Sequence, residues 1–311
     1  MKQSILILLS LIFFSVINSY PQQQTKDAGD TTQTLNKKIK IAIWGDSREN
    51  LDNAGENIAG ILLNKITDWD IQIHTGDFTH DGSNKSWKRS LSYKGMDKLF
   101  TKDKMLLVTS NHDFKSPSGR ANWDKYTAGV LPVNSVDSST HFYAYHIGNV
   151  HIICCDSYVT DSTKMQLWLD DYLANVNSNE WIIAAWHNPS YNDISYKDSY
   201  NKSKLWLKSL YAHHCRFVFN GHAHIYLRTK PLSPNGTIDI KNGIVHIING
   251  TGGASWEDQQ TYVDKTAFTP DEKSFPCITF LTIDGNQGII QTLDARPGHN
   301  LKVIDEYKLE N

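Results

Sequence analysis

The segment Ile39-Lys40-Ile41-Ala42-Ile43-Trp44-Gly45-Asp46 decides how the chain reads. It is a short, mostly apolar run that stops at a Gly-Asp pair, the pattern of a buried strand ending in a turn. Asn53, followed three residues later by Glu56, has the spacing of a capping box and predicts a helix to about Thr67. The same order of strand, loop and helix recurs. Asp70–His74 leads to Gly76-Asp77 and a helical stretch near Trp87–Phe100, and Met105–Thr109 leads to Asn111-His112-Asp113.

Further along, His141–His146 and Val150–Cys155 flank Gly148-Asn149 and read as an antiparallel hairpin, with a helix following around Met165–Ala174. Trp181–Trp186 is a strand ending at His187. A helix near Lys204–His213 precedes the strand Arg216–Phe219, which runs into Gly221-His222-Ala223-His224. Late strands are expected at Ile244–Ile248, Cys277–Ile283, Gly288–Leu293 and Leu301–Tyr307. Helices alternate with strands first and strands dominate later, so the expected fold class is α/β (α+β), two packed sheets flanked by helices.

The ends of the chain and its composition bound the function. Lys2 and the uncharged apolar run Ile5–Ile17, closed by Asn18-Ser19-Tyr20, have the layout of a secretory signal peptide, expected over 1–19. Residues 20–38 are rich in Gln, Thr and Asp, bury too little to order themselves, and read as a disordered linker. Residues 39–311 then form a single domain. No later apolar stretch approaches the ~20 residues of a membrane span. No Cys follows the apolar run either, so no membrane anchor is expected, and the protein is expected to be secreted or periplasmic. A net charge of −2 with scattered basic residues gives no attraction to phosphate backbones, so nucleic acid enters only as a substrate. Cys154, Cys155, Cys215 and Cys277 suit two disulfides or buried thiols equally. The Asn-x-Ser/Thr sites at Asn84, Asn201, Asn235 and Asn249 matter only in a glycosylating host, and a glycan on Asn249 would sit beside a Gly-rich loop.

Five strand ends carry Asp46, Asp77, Asn111-His112, His187 and His222-x-His224. Ligands of open α/β sheets collect at the carboxyl ends of strands, so these residues can converge although they are far apart in sequence. Singly each is weak, since a Gly-Asp after a strand is commonly a turn and a lone His commonly a core residue. The two histidines of His222-x-His224 reach one site only if the backbone turns there, which Gly221 permits.

As an ordered set, Gly45-Asp46, Gly76-Asp77, Asn111-His112-Asp113, His187 and Gly221-His222-Ala223-His224 resemble the motifs of the calcineurin-like metallophosphoesterase superfamily, over about residues 39–255. His187-Asn188-Pro189-Ser190-Tyr191, Gly250-Thr251-Gly252-Gly253 and Tyr226 with Arg228 look like its purple acid phosphatase branch. The resemblance implies a four-layer αββα sandwich and a phosphatase or phosphodiesterase acting on a phosphate ester. It implies two transition-metal ions (Fe, Zn or Mn): Asp77 bridging, Asp46 and His224 on the first, Asn111, His187 and His222 on the second. Carboxylate, amide and imidazole donors suit such borderline ions, which acidify a water as nucleophile. His112 would be the general acid. Asp113 is expected only to cap a loop.

Two positions depart from the superfamily pattern. Arg48 stands where most members carry a metal-binding His, and a guanidinium cannot ligate. It is expected to hold substrate phosphate; the alternative is a surface pair with Glu49. His80, three residues after Asp77, occupies the place of a purple acid phosphatase Tyr. It is either a substitute ligand or a partner of the catalytic His112, the second being preferred. A secreted nuclease or a non-catalytic binding protein retaining the fold are the alternative readings.

Overall fold

The structure is a computed structural model and describes residues 37–311 apart from 135, 137, 192–196, 258–263 and 271–273. The expected signal peptide and nearly all of the linker lie outside these. Two mixed sheets face each other. The first contains β1 (Ile39–Trp44), β2 (Ile71–His74), β3 (Met105–Leu107), β11 (Cys277–Asp284), β12 (Gln287–Asp294) and β13 (Val303–Glu310), in the order β13-β12-β11-β1-β2-β3. The second contains β4 (Tyr143–Ile147), β5 (Val150–Cys154), β6 (Trp181–Ala185), β7 (Phe217–Asn220), β8 (Tyr226–Thr229), β9 (Val245–Asn249) and β10 (Thr266–Phe268), in the order β10-β8-β9-β7-β6-β5-β4. β1, β2 and β3 pair in parallel, as do β5, β6, β7 and β9, while the late strands and the β4–β5 hairpin pair antiparallel. This is the expected two-sheet sandwich with helices outside.

Period-two alternation explains the layers. Ile152 and Cys154 of β5, Trp181, Ile183 and Ala185 of β6, and Phe217 and Phe219 of β7 join Ile39, Ile41 and Ile43 of β1 in the core that holds the sheets together. The intervening Ile153, Ile182, Ala184 and Val218 face the other way. They are covered by Met165, Trp168, Leu169 and Leu173 of α5 (Ser162–Ala174) and by Trp206, Leu207 and Leu210 of α6 (Lys197–Ala212). Strands buried on both faces read as unbroken apolar runs, as these do.

Several local expectations are corrected. Asn53 does not cap the first helix, α1 (Ala54–Asn64): it lies in the left-handed region and makes no side-chain cap bond. Asn50 does this instead, its Oδ1 accepting from Gly55 N at 2.7 Å and Glu56 N at 3.3 Å, while Glu56 accepts from Lys94 N. The stretch near Trp87–Phe100 is two helices, α2 (Asn84–Leu91) and α3 (Met96–Leu99), broken where Gly95 takes φ 89°. Between Asp113 and His141, where the sequence marks no helix, lies α4 (Gly119–Thr127), and β8 and β10 are likewise additions to the expected elements. All four cysteines are free and buried, so the disulfide alternative falls. Among the described residues, no helix is long and apolar enough to cross a membrane.

Candidate metal centre

Three of the residues singled out from the sequence adopt a backbone conformation that residues with side chains rarely take: Asp46 (φ 58°), Asp77 (φ 52°) and His222 (φ 69°). Each lies just beyond a strand, and the left-handed step turns the chain so that its side chain points over the sheet ends. Such strain persists only where the surroundings enforce it. Here Asp46 N donates to Gly76 O at 2.9 Å and Arg48 N to Asp77 O at 3.0 Å, locking the first two turns together. The turn in Gly221-His222-Ala223-His224 is made by His222 itself. Gly221 serves close approach: a Cβ there would lie 2.3 Å from Asp46 Oδ2.

The side chains sort into two groups around Asp77. On one side, His224 Nε2 lies 3.6 Å from Asp46 Oδ1. On the other, Asn111 Oδ1 lies 3.0 Å from His187 Nε2 and 3.2 Å from His222 Nδ1. Asp77 Oδ1 is 3.2 Å from His187 Nε2, and ligand atoms of Asp46, Asp77 and His187 all fall within 4.8 Å of one another. Two imidazoles are oriented from behind: His187 Nδ1 donates to Thr75 O at 2.8 Å and His224 Nδ1 to Ser255 O at 2.5 Å. A ring whose Nδ1–H is so engaged presents its Nε2 lone pair forward, the tautomer a metal needs. These carbonyls carry no sequence signal, because any residue could supply them.

The electrostatics favour a cation. Asp46 and Asp77 are both buried within one site. Burial, with the neighbouring Asp77 charge, pushes the Asp46 carboxyl well above its ordinary range. Burial opposes ionisation of Asp77 too, but the charge and hydrogen bond of His187 outweigh it and hold that carboxyl low. Burial likewise works against a charged His187, yet Asp77 and then Asp46 raise it to about 9. Two adjacent buried carboxylates with an imidazole between them are a donor set that fits divalent or trivalent ions and is costly without positive charge.

His112 stands beside this group, its Nδ1 donating to the His80 carbonyl at 2.6 Å and its Nε2 facing the Arg48 guanidinium. Burial lowers the His112 ring below the ordinary range despite Asp77. Arg48 is 8% exposed and points inward, with Nη2 3.4 Å from His224 Nε2 and Nη1 3.6 Å from Asp77 Oδ2. Its Nε has no hydrogen-bond partner among the described residues, and Glu49 lies 3.7 Å away. The guanidinium is thus buried in the site rather than exposed, although its Nε stays within ion-pair distance of Glu49. The His80 ring is half exposed, 5.9 Å from the His112 ring and 3.8 Å from Glu49; its carbonyl, not its ring, holds His112.

Asp113 ties loops together as expected. Its carboxylate accepts from Thr79 N, Thr79 Oγ1 and Ser110 Oγ, joining the turns that carry Asp77 and Asn111. Burial raises it to about 6, with the Asp77 charge acting the same way. Tyr158 was missed: it donates to Asn188 Oδ1 at 2.5 Å and to Asn111 Oδ1 at 3.4 Å, linking two of the site's loops, and nothing in its local sequence marks it. Tyr226 and Arg228 are not at the site but in a buried network with Asp305. Asn249 is fully buried and bonded to Ile43 O and Thr279 Oγ1, so no glycan reaches it in the folded chain.

The comparisons with known proteins agree with this geometry. The profile of the calcineurin-like phosphoesterase family matches residues 39–226. Purple acid phosphatase 15 of Arabidopsis thaliana is 26% identical over 189 residues, 58% of this chain and 35% of that protein. Purple acid phosphatase 18 of the same plant is 33% identical over 126 residues, 38% of this chain and 28% of its own length. The chain thus spans about a third of the length of these relatives. A purple acid phosphatase from yellow lupin (Lupinus luteus) seeds shares the fold, with a TM-score of 0.66 at 16% identity over 88% of this chain and 54% of that one. With more than half of its length matched by the family profile and its strand-end residues gathered at one buried site, the chain belongs to the calcineurin-like phosphoesterase family.

Proposed function

We propose that the chain is a secreted, metal-dependent phosphoric ester hydrolase with a dinuclear centre. Asp46 and His224 would serve one ion, Asn111, His187 and His222 the other, and Asp77 both. The observation that carries the reading is the division of donors on either side of Asp77, with Asp46, Asp77 and His187 within 4.8 Å of one another. Bound ions of the Fe, Zn or Mn class supply Lewis acidity and an acidified water at such a site.

The chain's own residues do the rest. Arg48 engages two phosphoryl oxygens with its planar fork. That engagement draws the guanidinium away from His112 Nε2, which is then free to carry the proton donated to the leaving group. The His80 carbonyl keeps the His112 ring in place through Nδ1. Thr75 and Ser255 carbonyls keep two ligand imidazoles forward.

The test is hydrolysis of an aryl phosphate by the full chain reconstituted with Zn, Fe or Mn. Activity should vanish with chelator and return with metal, and Asp77→Asn should lose both metal and rate. His112→Asn should keep its metal but lose roughly 10²–10⁴-fold on alkyl phosphates, whose leaving groups need a proton, and far less on nitrophenyl phosphate. A chain that binds no metal after reconstitution, or hydrolyses no phosphate ester when loaded, refutes the reading.

A further inference from the structure

A second histidine cluster lies at the opposite end of the seven-stranded sheet. His146 and His151 face each other directly across the β4–β5 hairpin. Their rings stack with centroids 4.1 Å apart and planes 9° from parallel. Glu180, in the turn before β6, approaches both: Oε1 lies 3.7 Å from His146 Nε2 and Oε2 3.3 Å from His151 Nε2. β6 runs from this end towards His187, which is about 20 Å of extended chain away, so the cluster is separate from the centre described above.

The internal bonding is unusual. His151 Nδ1 shares a hydrogen bond with Tyr172 Oη at 2.8 Å, and its Nε2 is turned towards Glu180. That Nε2 is buried and has no hydrogen-bond partner among the described residues. His146, His151 and Glu180 each offer one ligand atom, and these atoms all lie within 4.8 Å of one another. Asn177 holds the carboxylate from behind, donating through both N and Nδ2 to Glu180 Oε2.

We propose that His146, His151 and Glu180 form a second cation site, of the zinc class, that clamps the edge hairpin of the sheet to the turn entering β6. Two imidazoles and a carboxylate suit Zn²⁺ and its neighbours in the divalent series. The donor separations at Glu180 bracket the roughly 3.3 Å edge of a tetrahedron with 2.0–2.1 Å metal–nitrogen bonds. Imidazole lone pairs lie in the ring plane, so the stacked His146 ring, on a side chain that is 49% exposed, must rotate out of the stack to share an ion with His151, which is held by Tyr172 behind it. β4 is the outermost strand of its sheet, so a metal tie there would resist fraying.

The experiment measures zinc content and zinc affinity of the full-length chain by equilibrium dialysis with elemental analysis. Wild type should hold one zinc per chain more than His146→Ala or Glu180→Gln, both changes outside the central site. Asp77→Asn should retain this extra zinc while disturbing the central metals, and His146→Ala should keep its phosphatase rate. Tyr172→Phe should weaken the extra zinc by about 10–100-fold, the usual effect of an outer-shell loss. Zinc should raise the Tm of Asp77→Asn, and adding His146→Ala to that chain should abolish the rise. Equal zinc content and affinity in wild type and His146→Ala would overturn the proposal.

Discussion

Arg48 shows what a single residue can and cannot disclose. Its place two residues after Asp46 marks it as a departure from the family pattern, and its chemistry rules out ligation. Only the fold reveals that the side chain turns inward, within reach of Asp77, His112 and His224. A buried guanidinium whose Nε makes no hydrogen bond among the described residues, with only the Glu49 carboxylate 3.7 Å away, retains a donor for an anion. Removing charge-assisted hydrogen bonds of this kind costs about 1.5–3 kcal/mol, or roughly 10–100-fold in affinity. Arg48→Ala should therefore raise the inhibition constant for inorganic phosphate by that factor and lower kcat/KM, with metal content unchanged. Unaltered phosphate inhibition would remove Arg48 from the substrate site. Arg48→His is the informative companion, because tighter metal binding in that variant would show that a ligand position is intact and vacated.

Among the elements, strands were more legible than helix starts. An apolar run buried on both faces has few other readings, so β1, β5, β6, β7 and β9 fall close to where the sequence puts them. The Asn53 to Glu56 spacing misled because capping depends on backbone direction, and the left-handed turns at Asn50 and Asn53 make Asn50 the cap. The pairing of β8 with β13 residues was invisible for a different reason. Tyr226 and Arg228 are separated from Asp305 by more than seventy residues, yet Arg228 makes two bonds to its carboxylate, of 2.7 and 2.9 Å, and Tyr226 Oη a third. The network ties the two sheets together, β8 of one to β12 and β13 of the other. Truncating one partner leaves a buried charge uncompensated, so Asp305→Ala should destabilise by about 3–5 kcal/mol. Chemical denaturation should show the loss, while kcat of the folded fraction stays near wild type. A stability loss below about 1 kcal/mol, the scale of an exposed pair, would contradict a buried structural role.

At the scale of the whole molecule, the layers bury all four cysteines as thiols, Cys154 and Cys277 between the sheets and Cys155 and Cys215 beneath the helices. Burial pushes Cys154 and Cys215 up to about 12, and Cys155 well above its ordinary range, so the reactive thiolate is suppressed as well as shielded. The native chain should show almost no reaction with Ellman's reagent, and four thiols per chain should appear on denaturation without reductant. Two or fewer would mean that disulfides form after all. The residue types and their order along the chain determined the fold class and singled out the residues that gather at the candidate metal centre, because strand periodicity and donor chemistry are local properties. Tertiary structure alone decided which imidazole nitrogen faces forward, and that Arg48 points into the candidate site while Arg228 belongs to the core. Those outcomes depend on carbonyls, backbone turns and carboxylates brought together from distant segments, and no local pattern encodes which distant group will arrive.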